Sequence, residues 1–256
     1  MDEEKIIENL IQAEKNKIQI NFFKENEKLA KSDSYQLQKN LVNEKKRIFN
    51  SELAGYKISM TSSDTQAIAN THEPAYGRIL DYNLQTNTNE VKIDDLLEPL
   101  LEPELVFKLN EDLSSDVSFT EIIQKSSIHL GAEIPDSRYK DWFPHFNLTD
   151  LIYDNAFVGK LVYSEESFQA TDVAFENIKL RLFYNDELIE EGTSKNVLGN
   201  PLNSIVWLNE KLHSQGEKLE KGLFISSGTL TSPITLAKGT YKLEFDKLGT
   251  MEIHCE

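Results

Sequence analysis

The chain has 256 residues, enough to bury a sizeable core as one compact unit, and sets 27 Lys+Arg against 43 Asp+Glu for a formal net charge of -16. That charge repels phosphate backbones and anionic membrane surfaces, so neither is expected as a partner, and an acidic metabolite would need a local lysine, arginine or metal ion to offset the field. No stretch approaches the about 20 apolar residues of a membrane span, the N-terminus has no signal-like apolar run, and the single cysteine, Cys255, allows neither an internal disulfide nor a thiolate metal cluster, so a cytoplasmic protein is expected.

From Ile6 to about Asn50 the sequence lacks proline and glycine and carries apolar residues at helical spacing, as at Ile6, Leu10 and Ala13. Residues 1–50 therefore read as a helical region of two or three helices, with Ser32, Asp33 and Ser34 as a helix start before YQLQKNLVNEKKRIFNSEL. Beyond Gly55 the texture changes to short apolar or alternating runs broken by Gly, Pro, Asn and Asp, so residues 51–256 read as a mainly β domain. In LEPELVFKL, Leu105, Phe107 and Leu109 alternate with Glu102, Glu104 and Val106, which puts two carboxylates on one strand face. ENIKLRLFYNDELIEEG predicts a hairpin turning at Asn185 and Asp186. GTYKLEFDKLGTMEIHC predicts a second, turning at DKLG. Between them, Asn200 as N-cap, Pro201 at the first helical position, the stripe Leu202, Ile205, Leu208 and Leu212, and the stop at Gly216 predict one helix.

Like charges side by side on a strand repel unless a cation lies between them, so Glu102 and Glu104 point to an oxygen-ligand site for Mg²⁺ or Mn²⁺. In so acidic a chain, however, an E-x-E pair is ordinarily a solvated edge. Lys57 alone reads as a surface strand lysine, and Arg138 alone as a salt bridge, although its planar fork could also pair with a substrate carboxylate. The five histidines, His72, His129, His145, His213 and His254, have no ligand-like spacing.

The segments GYKISMT (55–61), EPAYGRILDYN (73–83), LEPELVF (101–107), AEIPDSRYKDW (132–142), DNA (154–156), LGNPLNSIVWLNEKL (198–212) and SSGTLTSP (226–233) occur in an order that resembles the 2-keto-4-pentenoate hydratase and 4-oxalocrotonate decarboxylase family, relatives of fumarylacetoacetate hydrolase. The resemblance spans about residues 50–256 and implies an α+β fold, a mixed β-rich roll or sandwich with an N-terminal helical region. It implies a divalent metal, Mg²⁺ or Mn²⁺, on Glu102, Glu104 and Glu133, with Lys57 as the catalytic residue and Arg138, Gly228 and Thr61 around the substrate. A lysine beside a dication has its ammonium form disfavoured, which suits proton transfer.

Three departures matter: Ser59 and Met60 replace the family's glycine and leucine, Phe157 stands where a small serine is usual, and Ala75 stands where hydratases carry an acid. A methyl group cannot activate water, so a lyase acting on a small 2-oxo or 2-hydroxy dienoic acid is expected to be a decarboxylase, with hydratase as the alternative and a non-catalytic assembly subunit as the second. His72, just before EPAYG, is the candidate to replace the missing acid. The resemblance further implies a homo-oligomer, a complex with a related hydratase or decarboxylase, and a role in aromatic hydrocarbon catabolism.

Overall fold

A computed structural model describes residues 2–24, 34–88 and 90–256. The N-terminal region supplies helices α1 (Glu3–Asn16) and α2 (Ser34–Phe49). Ser32 and Asp33, read as part of a helix start, lie outside the described residues. Then follow β1 (Leu53–Ser59), α3 (Ser63–Ile68), β2 (Ala75–Leu80), β3 (Leu84–Thr86), β4 (Leu100–Leu109), α4 (Phe119–Lys125), β5 (Ser126–Ile134) and α5 (Leu148–Tyr153). After them come β6 (Lys160–Tyr163), β7 (Phe168–Gln169), β8 (Lys179–Tyr184) and β9 (Glu187–Thr193). The chain ends with α6 (Pro201–Ser214), β10 (Phe224–Thr229), β11 (Ile234–Thr235), β12 (Gly239–Phe245) and β13 (Gly249–Cys255).

A nine-stranded mixed sheet runs β2-β1-β10-β4-β5-β6-β3, with β11 on β4 and β7 on β5, and a four-stranded antiparallel sheet runs β13-β12-β8-β9. Both predicted hairpins form: Tyr184 pairs with Glu187 around left-handed Asn185 and Asp186, and Phe245 pairs with Gly249. In α6 the Asn200 side chain accepts from Leu202 N, Pro201 opens the helix, and Leu202, Ile205, Leu208 and Leu212 are buried.

Alternation along the strands divides the core. One face of the large sheet, with Leu101, Leu105 and Phe107, packs with the small sheet's Leu182, Leu243 and Ile253 and with α6. Under the N-terminal helices, Ile6, Leu10, Leu37 and Leu41 join Tyr139, Trp142, Tyr153 and Phe157 in a second cluster. The helical region therefore shares its core with residues from the β-rich part, including the DSRYKDW segment.

Candidate metal centre and active site

Glu102 and Glu104 point away from the inter-sheet core, as the alternation requires. They lie not on an edge but on β4, between β10 and β5. Across the antiparallel ladder Glu102 is the direct partner of Glu133, and Glu104 is the partner of Gly131 on one side and Thr229 on the other. A ligand oxygen from each of Glu102, Glu104 and Glu133 lies within 4.8 Å of the others.

Lys57 sits three strands from Glu133, about 14 Å away in a flat sheet. The large sheet curls enough to bring its Nζ to 2.6 Å from Glu133 Oε1, both side chains being buried. Curvature, a property of the whole sheet, therefore assembles the site.

Glu104 is held by two donors on one oxygen: Oε2 accepts from Ser226 Oγ at 2.5 Å and from Gly228 N at 2.8 Å. Its Oε1, like Glu133 Oε2, is buried and accepts no hydrogen bond. A buried carboxylate oxygen without a donor is costly. Burial raises all three carboxyls, Glu104 to about 8, and the neighbouring charge of Glu102 adds to the rise in Glu104. Three acids that resist ionisation in isolation, two of them with unpaired buried oxygens, form a donor set suited to a hard divalent cation, which would supply the missing positive charge.

The other expected residues divide. Gly228 has φ +115, and a Cβ there would meet Thr61 Oγ1 at 2.5 Å, so glycine is required for Thr61 to rest on it while the amide reaches Glu104. Thr61 lines an outer basin of about 610 Å³ rather than the cavity beside Lys57.

Arg138, expected near the substrate, lies in a buried ion pair with Asp154. Its Nε reaches Asp154 Oδ1 at 2.5 Å, and its two terminal nitrogens donate to the Asp154 and Val158 carbonyls at 2.9 and 3.1 Å. Three of its five N–H groups are engaged by these acceptors, and the side chain is buried. His72 is exposed, whereas Lys57, Glu104 and Glu133 are buried. Ala75 itself is buried opposite Ser59, one residue pair beyond the pair of Ile58 and Tyr76 and two beyond that of Lys57 and Gly77.

Lys57, Ser59 and Glu102 line a cavity of about 20 Å³ whose other walls include Trp142, Phe143, Phe146 and Phe157. Phe157 ends a run of three left-handed residues, Asn155 (φ 53), Ala156 (φ 53) and Phe157 (φ 57). For the latter two residues this conformation costs about 1–2 kcal/mol each. The run is held by the Asn155 side chain, whose Oδ1 accepts from Arg78 N and whose Nδ2 donates to Arg78 O, each at 2.8 Å, and Phe157 O accepts from Asp136 N at 2.9 Å. Phe157 was singled out from sequence, but Ser226, Trp142, Phe143 and Phe146 were not, although the aromatic run DWFPHF carried a signal for the last three.

No protein-family model matches the chain. Its sheets and helices have the fold of fumarylacetoacetate-hydrolase-like proteins: the 4-oxalocrotonate decarboxylase of Pseudomonas putida G7, solved with magnesium and adipate, superposes with TM-score 0.91 at 22% identity, covering 100% of this chain and 99% of that one. In sequence the chain is 28% identical over 214 residues to the 2-keto-4-pentenoate hydratase of Paraburkholderia phymatum, 82% of this chain and 81% of that protein. It is 29% identical over 199 residues to a 4-oxalocrotonate decarboxylase of Pseudomonas sp., 77% of this chain and 76% of the relative. The chain is thus a homologue of the hydratases and decarboxylases of this lyase family.

Proposed function

We propose that this chain is a divalent-metal-dependent lyase acting on a small 2-oxo or 2-hydroxy dienoic acid, and that it decarboxylates an acid of the 4-oxalocrotonate type. The observation that carries the reading is the convergence of Glu102, Glu104, Glu133 and Lys57 in one cluster, of which Lys57 and Glu102 line the cavity, while Ala75 leaves no acid beside Ser59 to activate water. Glu102, Glu104 and Glu133 would hold Mg²⁺ or Mn²⁺, which supplies Lewis acidity toward the substrate's carboxylate and 2-oxo oxygens.

In this reading Ser226 and Gly228 keep Glu104 aimed while its free Oε1 serves the cation. Lys57 moves a proton between the enolic oxygen and a chain carbon. The aromatic walls exclude bulk water from the dienolate, which favours loss of CO₂ over addition of water.

Hydration of a 2-hydroxypentadienoate is the second reading, supported by the hydratase named among the relatives. A non-catalytic assembly subunit would have no need of the buried, donor-free Glu104 Oε1. Residues 51–256 form the catalytic domain in this reading. The enzyme is cytoplasmic, serves aromatic hydrocarbon catabolism, self-associates, and is a candidate for a complex with a related hydratase. Among the described residues no helix is long and apolar enough to cross a membrane.

Purified protein with Mg²⁺, given 4-oxalocrotonate or 2-hydroxypenta-2,4-dienoate, separates the readings. Metal-dependent CO₂ release from the first is expected. Conversion of the second to a 4-hydroxy-2-oxo acid without CO₂ release from the first would replace decarboxylase by hydratase.

A further inference from the structure

A separate basin of about 450 Å³ lies between the end of α1, residues 95–97 and the start of β6, and shares no lining residue with the cavity beside Lys57. In a chain of net charge -16 its walls are nevertheless basic, with Lys15, Lys17, Arg138 and Lys160 against Glu14, Asp95 and Asp136. Two of those acids are already engaged. Glu14 meets Lys45 and accepts from the Tyr82 hydroxyl, and Asp136 accepts from Leu97 N and Glu98 N. Asp95 is left to oppose an incoming anion.

The cations are less fully used. Among the described residues neither Lys15 nor Lys17 has an ion-pair partner. Lys160 Nζ donates to Tyr82 O at 2.9 Å, which leaves two of its three donors. Burial disfavours its ammonium form and Lys17 adds to that effect, against a smaller pull from Asp95 and Glu14. Arg138 spends three of its five N–H groups on Asp154 and Val158 and keeps two. A small dianion beside these groups would return the charge that burial withholds from Lys160 and take charge-assisted hydrogen bonds from them.

The same basin holds the strap that carries Phe157. Asp136 N donates to Phe157 O at 2.9 Å, and Arg138 donates to the carbonyls of Asp154 and Val158 on either side of the left-handed run. Val158 and Gly159 line the basin, whereas the Phe157 ring lines the cavity and lies 4.8 Å from the Trp142 ring, centroid to centroid. Residues 154–159 therefore have one wall in each space.

We propose that this basin binds a small dianionic oxyanion, of phosphate or dicarboxylate type, on Lys17, Lys160 and Arg138, and that its occupancy is transmitted through residues 154–158 to the aromatic roof of the cavity. The basin lies outside the carboxylate cluster, so its occupancy is tested separately from the proposed reaction.

The probe is sulfate, titrated at constant ionic strength into the Mg²⁺-supplemented protein. Binding is read by calorimetry and by Trp142 emission in a Trp207→Phe background, these being the chain's two tryptophans. A saturable response with a shift in Trp142 emission is expected. Lys17→Asn and Lys160→Met should each weaken it about tenfold, equivalent to about 1.4 kcal/mol per lost cation. Asparagine suits position 17, where φ is 54. Succinate as a second probe separates the sources: tighter sulfate binding assigns a phosphate-type ligand, tighter succinate binding a dicarboxylate.

A response that follows ionic strength without saturating, or saturable binding unchanged in both lysine variants, would overturn the site. Glu104→Gln should leave sulfate binding as it is, and loss there would place the anion at the carboxylate cluster instead. Calorimetric saturation with unchanged Trp142 emission would overturn the transmission to the roof.

Discussion

Glu102 and Glu133 are direct partners across the β4–β5 ladder, so two carboxylates meet on one face of an interior strand pair, with Glu104 close enough to share a ligand. Like charges placed in this way destabilise a sheet that has no cation to bridge them. Replacing Glu104 by Gln, which can still accept from Ser226 and Gly228, should raise the thermal midpoint of the metal-free protein. A gain of about 1 kcal/mol corresponds to roughly 2–4 °C in a chain of this size. The same variant should lose the further rise that Mn²⁺ gives the parent protein, and calorimetric scans with and without Mn²⁺ read both effects.

Lys57 contacts Glu133 but is not one of the three acids that would hold the cation. Lys57→Met should therefore lower kcat by about 10²–10⁴ while Mn²⁺ affinity is retained or improved. Loss of Mn²⁺ affinity along with activity would assign the lysine to the integrity of the site rather than to proton transfer.

The Arg138–Asp154 pair is structural. Removing one partner of a buried ion pair leaves an uncompensated charge and costs about 3–5 kcal/mol. Urea unfolding of Arg138→Ala should show a loss of that size, and KM measured on the folded fraction should be unchanged. A large rise in KM without loss of stability would return Arg138 to the substrate.

Ala75 faces Ser59 across the β1–β2 pair. Ala75→Asp would set a carboxylate beside Ser59, where it could activate water near the distal double bond. Formation of 4-hydroxy-2-oxo acid from 2-hydroxypenta-2,4-dienoate should appear in this variant. No gain in a folded, metal-binding variant would mean that something other than this side chain separates hydration from decarboxylation.

Glu14 of α1 meets Lys45 of α2 at 2.5 Å. Burial raises its carboxyl, but the charges of Lys45 and Arg138 outweigh burial and bring it from an ordinary 4.5 down to about 2. A carboxyl depressed on folding stabilises the native state fully above its unfolded value and loses that contribution as pH falls through the folded one. The stability difference between the parent protein and Glu14→Gln should therefore be largest above about pH 5 and shrink toward pH 2, as denaturant midpoints across that range would show.

Local patterns carried the hairpins, α6 and the two faces of β4 in the sequence, because each depends on neighbours a few residues away. The burial of Glu104 was not legible in this way. It depends on β10, which comes about 120 residues later and lies between β1 and β4. The partner of Arg138 was not legible for the same reason, since Asp154 belongs to a different segment. The resemblance named Glu102, Glu104, Glu133 and Lys57 as a group. The curl of the sheet that lets Lys57 meet Glu133, and the rings around Phe157 that close the cavity, are tertiary properties with no short-range pattern.

The most direct test of the carboxylate cluster is a calorimetric titration of the metal-free protein with Mn²⁺, beside the Glu102→Ala, Glu104→Ala and Glu133→Ala variants. One saturable site per chain, lost or severely weakened in each folded variant, is the predicted result. A parent protein that binds no Mn²⁺, or variants that bind it as tightly as the parent, would contradict the account.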